Sequence, residues 1–141
     1  MAIWRGGYNP LKDAYKTTVF RISEWRNTMR PKIGLGTDGP VIPRAIIDKP
    51  PSAELRPDQK DSDSLPEYPV LDGILLGLVE HEKSVDQLVA EGFERDTVKR
   101  IERLLHLAEY KRRQAPPGVK LGMRNFGRDR RYPITHAFRS G

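Results

Sequence analysis

With 141 residues, 37% of them hydrophobic, 31% charged and 12 of them proline, the chain offers one modest domain and little apolar material for an independent core. It has no cysteine, which excludes a disulfide framework, a thiolate metal site and a cysteine nucleophile, and its three histidines (His81, His106, His136) show no ligand spacing. The net charge of +6 is uneven: residues 111–141 carry nine Lys/Arg against Asp129 alone, the rest is slightly acidic, and such a tail suits an anionic partner. No apolar run approaches the roughly 18 residues of a membrane span. The start, MAIWRGGYNP, lacks the apolar stretch of a signal peptide, so a cytoplasmic location is expected.

Gly6-Gly7 permits unusual backbone geometry. From Lys12 to about Asn27, the residues Tyr15, Val19, Ile22 and Trp25 recur at three- and four-residue spacing, which predicts an amphipathic helix. Residues 28–40 read as a loop, broken by Pro31, Gly34, Gly36, Gly39 and Pro40. Val41–Ile47 is short and apolar; its period does not choose between helix and strand, although Pro43 argues against a central strand. Pro50 and Pro51 hold the chain extended, and Ser52 is a good helix N-cap. Residues 56–64 are too polar for a core and too irregular for a stable helix; the plain reading is a solvated linker, the functional one a mobile loop, 48–66, over a phosphate or metal site and anchored by Pro50-Pro51-Ser52.

A buried helix is predicted over Pro69–Glu80, with Val70, Leu71, Ile74, Leu75, Leu78 and Val79 as a broad apolar face. Ser84-Val85-Asp86-Gln87 is a capping box opening a short helix that closes at Gly92. The clearest helix is expected from Thr97 to about Tyr110. Its stripe is Val98, Ile101, Leu104, Leu105 and Ala108, with Lys99, Arg100, Glu102 and Arg103 outside, and Pro116-Pro117-Gly118 stops it. Beyond Val119 the chain has few apolar residues and no period; irregular structure laid over another surface is expected. This divides the chain into a helical part, 1–110, and a basic tail, 111–141.

Several residue patterns admit chemistry. Residues 84–105 resemble a helix-turn-helix, with the second helix as reader and the tail supplying phosphate contacts, so a small DNA-binding protein is an alternative reading. The plain reading is a helical hairpin, and Glu91, Glu94, Asp96 and Glu102 would oppose DNA phosphates. Glu54, Asp61 and Asp63 are hard oxygen donors of the kind magnesium takes, but their spacing is that of solvated loop acids and no metal ligand is assigned. Arg128, Arg130 and Arg131, with Tyr132, can clamp phosphates or meet another surface.

Three ordered stretches carry a family resemblance: Gly6–Asp13 (GGYNPLKD), residues 48–68 (DKPPSAELRPDQKDSDSLPEY), and EYKRRQAPPG from Glu109 with RNFGRDRRYPI from Arg124. Together they resemble the C-terminal part of the synthetase domain of glutamine-dependent NAD+ synthetases. The resemblance implies a mainly α chain, the C-terminal helical portion of an α/β adenine-nucleotide α-hydrolase-like (ATP pyrophosphatase) domain. It implies a carbon–nitrogen ligase of NAD biosynthesis: ATP, with magnesium, activates deamido-NAD+ as an acyl-adenylate, and ammonia from glutamine displaces AMP. It further implies that Lys16 and Ser52 contact ATP, that Tyr110 and Lys111 contact deamido-NAD+, and that the full-length protein is a homo-oligomer. The family's Ser-Gly-Gly-x-Asp-Ser phosphate loop and its glutaminase cysteine are not in this sequence. The chain is therefore expected to be a truncated fragment, cut within the synthetase domain and inactive alone.

Overall fold

The computed structural model describes residues 7–49, 65–125 and 127–135. Within them are six helices: α1 (Lys16–Thr28), α2 (Arg44–Asp48), α3 (Tyr68–Val79), α4 (Val85–Ala90), α5 (Arg95–Leu107) and α6 (Glu109–Gln114). No strand occurs among the described residues, so the chain as described is mainly α. It divides into two compact units, one formed by residues 1–14 with 69–141, the other by residues 15–68. The functional readings at Ser52 and at Glu54, Asp61 and Asp63, and the loop reading for 50–64, lie outside the described residues.

In the second unit, α1 begins four residues later than the spacing predicts. Residues 9–14 form a turn instead, because Asn9 Oδ1 accepts from Leu11 N–H (3.2 Å) and Lys12 and Asp13 bond to the tail of their own unit. No residue of α1 is buried, and Ile22 and Trp25 on its apolar stripe are exposed. Its loop is held by polar bonds. Asn27 accepts from Val41 and Ile42 N–H at 3.0 and 2.9 Å and donates to Ile42 O at 2.8 Å. The ambiguous apolar stretch after Val41 resolves as the single-turn α2.

The first unit holds all the buried apolar side chains among the described residues: Ile74, Leu78, Val79, Val85, Leu88, Val98, Ile101 and Leu105. They come from the inner faces of α3, α4 and α5. The α4 N-terminus is capped reciprocally, Gln87 N–H donating to Ser84 Oγ (3.2 Å) and Ser84 N–H to Gln87 Oε1 (2.8 Å). Gly92 closes α4 at φ +101, a left-handed conformation open to glycine. At Gly77 an added Cβ would lie 2.5 Å from Leu88 Cδ2, so the absence of a side chain is what lets α3 approach Leu88.

The sequence reading of α5 needs correction at both ends and on both faces. The helix starts at Arg95, because the Glu94 carboxylate caps it, accepting from Asp96 and Thr97 N–H at 2.8 and 2.6 Å. It ends at Leu107, where Ala108 N–H bonds back to Leu104 O, and a separate α6 follows. Tyr110 and Lys111 therefore lie on their own short helix rather than at the end of α5. Glu102, assigned to the outer face by its charge, is buried, while Leu104 of the apolar stripe is exposed.

Replacing Gly77 by alanine should destabilise the chain by about 1–3 kcal/mol, although alanine is the better helix former, because fully buried Leu88 has no space to yield. Ser84→Ala should cost about 0.5–2 kcal/mol through the lost cap. Urea denaturation followed by circular dichroism measures both; a Gly77→Ala chain at least as stable as the parent would refute the packing argument.

Candidate functional site

The described residues of the tail from Val119 to Tyr132 form neither helix nor strand to satisfy their backbone, and carboxylates take that place. Asp13, buried, accepts from Leu121 N–H at 2.8 Å and Gly122 N–H at 3.3 Å. Glu80, at the end of α3, accepts from Met123 N–H at 2.9 Å. Within the tail, Asp129 accepts from Asn125 N–H (2.8 Å) and Lys120 Nζ (2.7 Å); that backbone bond, with the Lys120 contact, holds its carboxyl below the ordinary value. Asn125, also buried, accepts through Oδ1 from Gly127 and Arg128 N–H, forming a tight turn. Arg124 pairs with Glu82, which adopts the left-handed conformation at φ 50.

Two further bonds fasten the tail's origin. Asn9 N–H donates to Pro117 O (2.9 Å), and Lys12 Nζ donates to Pro116 O (3.0 Å). Gly118 sits so close to this loop that a Cβ would lie 2.3 Å from Asn9 O. The Pro116-Pro117-Gly118 run thus does more than stop a helix.

Glu109, the first residue of α6, is almost wholly buried. It pairs with Arg112 Nη2 at 2.6 Å and with Arg113 Nε at 3.4 Å, and the Tyr132 N–H also donates to it. Arg113 Nη2 in turn donates to Tyr132 O at 2.7 Å. Burial alone would push the Glu109 carboxyl up, but Arg112, Tyr132 N–H and Arg113 outweigh it, and the acid sits below the ordinary value. The Tyr132 ring lies 4.7 Å from the His106 ring, and the Arg130 guanidinium stacks over Tyr132 at 4.3 Å. Burial lowers the Arg130 pKa from its ordinary value, an arginine remaining charged nonetheless.

Of the residues singled out in the sequence, Lys16 opens α1 and is exposed, with Nζ 6.0 Å from the Tyr68 ring centroid; Phe20 meets the same ring edge-on at 6.1 Å. That small aromatic cluster belongs to the second unit. Tyr110 and Lys111 belong to the first, both exposed on α6, beside the buried Glu109 that anchors this helix. Among the described residues no group of three or more His, Asp or Glu side chains is arranged to hold a metal. No helix among them is long and apolar enough to cross a membrane.

The sequence reading missed Asp13, Glu80 and Glu109 as anchors. Capture of a backbone N–H follows no periodicity, so nothing in their spacing marks them. The closely spaced glycines Gly118 and Gly122 are the available signal, each touching the element that holds the tail, Asn9 and Glu80 respectively.

By its match, over residues 4–115, to the model for NAD synthase, the chain belongs to the NAD synthase family. Among its relatives are the glutamine-dependent NAD(+) synthetases of Rhodobacter capsulatus (58% identical over 95% of this chain and 24% of the relative) and Xanthomonas campestris (55% identical over 94% of this chain and 23% of the relative). A solved glutamine-dependent NAD+ synthetase from Acinetobacter baumannii, in complex with ADP, superposes with a TM-score of 0.53 at 35% identity, covering 92% of this chain and 21% of that one. The chain thus spans about a quarter of the length of the curated relatives it matches. This assignment lends no support to the DNA-binding alternative. The first turn of α5, which would enter a groove, carries Asp96 behind the Glu94 cap, and its Arg95 is paired with Asp86 at 2.7 Å.

Asp13→Ala should leave two tail N–H groups without their acceptor, costing about 1–3 kcal/mol and speeding amide exchange at Leu121 and Gly122 before the rest of the unit. Unchanged exchange there would refute the anchoring role. Glu109 has a folded pKa below its unfolded value, so its contribution is complete above about pH 4.5 and is lost as the pH falls through the lower folded value. Glu109→Gln should therefore destabilise the chain at pH 7 and narrow its gap to the parent as pH drops towards about 3, read from thermal unfolding across that range.

Proposed function

We propose that this chain contributes nucleotide-binding and dinucleotide-binding residues to a glutamine-dependent NAD+ synthetase acting in NAD biosynthesis. The observation that carries this reading is membership of the NAD synthase family over most of the chain. Lys16 is placed on ATP phosphate, with Ser52 as a second contact, and Tyr110 and Lys111 on deamido-NAD+. A compact ammonium on the first residue of α1 matches a phosphate in charge, and the helix N-terminus adds backbone N–H groups of the same polarity. An exposed tyrosine beside an exposed lysine offers a ring to stack on and a charge for a phosphate or carboxylate.

In the reaction proposed for the whole protein, the nicotinate carboxylate oxygen attacks the α-phosphorus of ATP. The bond to the β-phosphate bridging oxygen breaks, pyrophosphate leaves and an acyl-adenylate forms. Ammonia derived from glutamine attacks the acyl carbon, a proton is lost, and AMP departs with the electron pair of the carbon–oxygen bond. Positioned donors must meet the charge that develops on the phosphates. Lys16 supplies one such donor and Ser52 a second; the Ser-Gly-Gly-x-Asp-Ser loop that would surround the phosphates is not in this sequence. The 141-residue chain alone is accordingly expected to bind but not to turn over. The ADP-bound neighbour supports the nucleotide reading; homo-oligomerisation, a cytoplasmic location and a role for magnesium are parts of the same proposal.

Titration calorimetry of the 141-residue chain tests the residue assignments. Lys16→Ala should weaken ATP by about ten-fold and leave deamido-NAD+ unchanged, and Lys111→Ala should do the reverse. Pyrophosphate release with ATP, magnesium, deamido-NAD+ and ammonia should stay at background. Insensitivity of both ligands to both substitutions would reject the assignments, and turnover above background would reject the inactivity of the chain alone.

A further inference from the structure

The bonds that dock the tail leave a set of cations that the reading above does not use. Lys12, Arg112, Arg113, Arg128 and Arg131 line one concavity of the first unit, together with Ala115, Pro117 and Gly127, and no carboxylate is among the lining residues. Its volume is about 340 Å³, at the lower end of small-ligand pockets and far below what a folded partner would fill. Five like charges around one small concavity repel one another. Glu109 offsets part of this by pairing with Arg112 and Arg113 from beneath. The Arg128 and Arg131 guanidinium groups have no hydrogen-bond or ion-pair partner among the described residues.

The geometry points to a binding site for a small phosphate-class anion, such as phosphate, pyrophosphate or the terminal phosphates of a nucleotide, held by Arg128 and Arg131 in the concavity that Lys12 and Gly127 also line. Three features make this more than a charged patch. The cations come from three separate places in the sequence, so the fold assembles them. The turn that presents Arg128 is fixed by Asn125 Oδ1, which accepts from both Gly127 N–H (2.7 Å) and Arg128 N–H (3.2 Å). At Gly127 a Cβ would stand 2.9 Å from Lys12 Nζ, so glycine leaves this ammonium room beside the concavity. Lys12 meanwhile uses one of its three donors on Pro116 O and keeps others for a ligand. Guanidinium forks match the oxygens of a phosphate two at a time.

The test is calorimetric titration of the 141-residue chain, in chloride buffer, with inorganic phosphate, pyrophosphate and ATP. Saturable one-to-one binding of phosphate and of pyrophosphate is expected, with pyrophosphate tighter than phosphate. Arg128→Ala and Arg131→Ala should each weaken it about ten-fold, and the Arg→Lys variants less. Arg103→Ala, removing an exposed arginine of α5, should change nothing, and Lys16→Ala should leave pyrophosphate binding intact, which separates this site from the ATP contact proposed above. ATP binding that survives Lys16→Ala but is lost with Arg128→Ala identifies a nucleotide as the source of the phosphate; pyrophosphate binding without it identifies the free anion. Both arginines are exposed, and thermal unfolding confirms that each variant is folded. No saturable binding of phosphate or pyrophosphate, an equal loss in Arg103→Ala, or undiminished pyrophosphate binding in the Arg128→Ala/Arg131→Ala double variant overturns the proposal. So does capture of an oligoglutamate peptide in place of phosphate, which would make the patch a protein-docking surface.

Discussion

The first unit depends on a carboxylate placed beneath backbone that has no other partner. A peptide N–H withdrawn from water without an acceptor costs as much as a lost hydrogen bond. The described residues of the tail form no ladder and no helix, so side chains take up their N–H groups. Asp13 serves Leu121 and Gly122, Glu80 serves Met123, and Asp129 serves Asn125. These acceptors sit on a turn near the start of the chain, at the end of α3 and within the tail itself. The tail is therefore docked by bonds reaching more than a hundred residues along the sequence, with little apolar burial of its own.

That mode of docking has an electrostatic consequence. A carboxylate engaged with backbone N–H groups is stabilised in its charged form, as the lowered Asp129 shows, but it is only partly available to neutralise a neighbouring cation. In the most basic stretch of the chain the acids are turned towards peptide groups. Arg124 and Lys120 keep carboxylate partners, Glu82 and Asp129 respectively, and Arg112 and Arg113 share the single buried Glu109. Among the described residues Arg128 and Arg131 are left over. The way the tail is held and the positive concavity beside it thus follow from one arrangement of acids.

Where the sequence carries a period, it was legible. The stripe of Val98, Ile101 and Leu105 and the Ser84–Gln87 capping box are local patterns, and the structure contains both. The boundaries that moved did so because a side chain outbid the local pattern. Asp13 and Lys12 are held by the tail, which delays α1, and Glu94 caps α5 two residues ahead of its expected start. Charge alone misplaced Glu102, since helical spacing says which face a residue is on but an acid can lie on the inner face. The candidate site was legible only through resemblance. Lys16, Tyr110 and Lys111 have ordinary helical surroundings, and nothing in period or composition distinguishes them from other exposed side chains. The anchoring acids were invisible for a different reason: their partners are peptide groups, which every residue has.

The two proposed contact lysines stand in opposite electrostatic positions, and that contrast bears on what each is for. Lys111, with Arg112 and Arg113, lies in the last turn of α6, where the helix dipole favours a cation. It needs no ligand to be stable there. Lys16 begins α1, where the dipole is unfavourable to positive charge, and the first turn holds no acid to compensate. The Tyr68 ring at 6.0 Å gives only a weak cation–π return at an exposed position. A helix that buries none of its residues has little packing with which to absorb such a penalty. An anion at this N-terminus would turn the penalty into attraction for both the dipole and the ammonium. Local rules broken without a structural gain tend to mark functional positions, and by that criterion Lys16, rather than Lys111, is the proposed contact whose unfavourable placement a bound phosphate would offset.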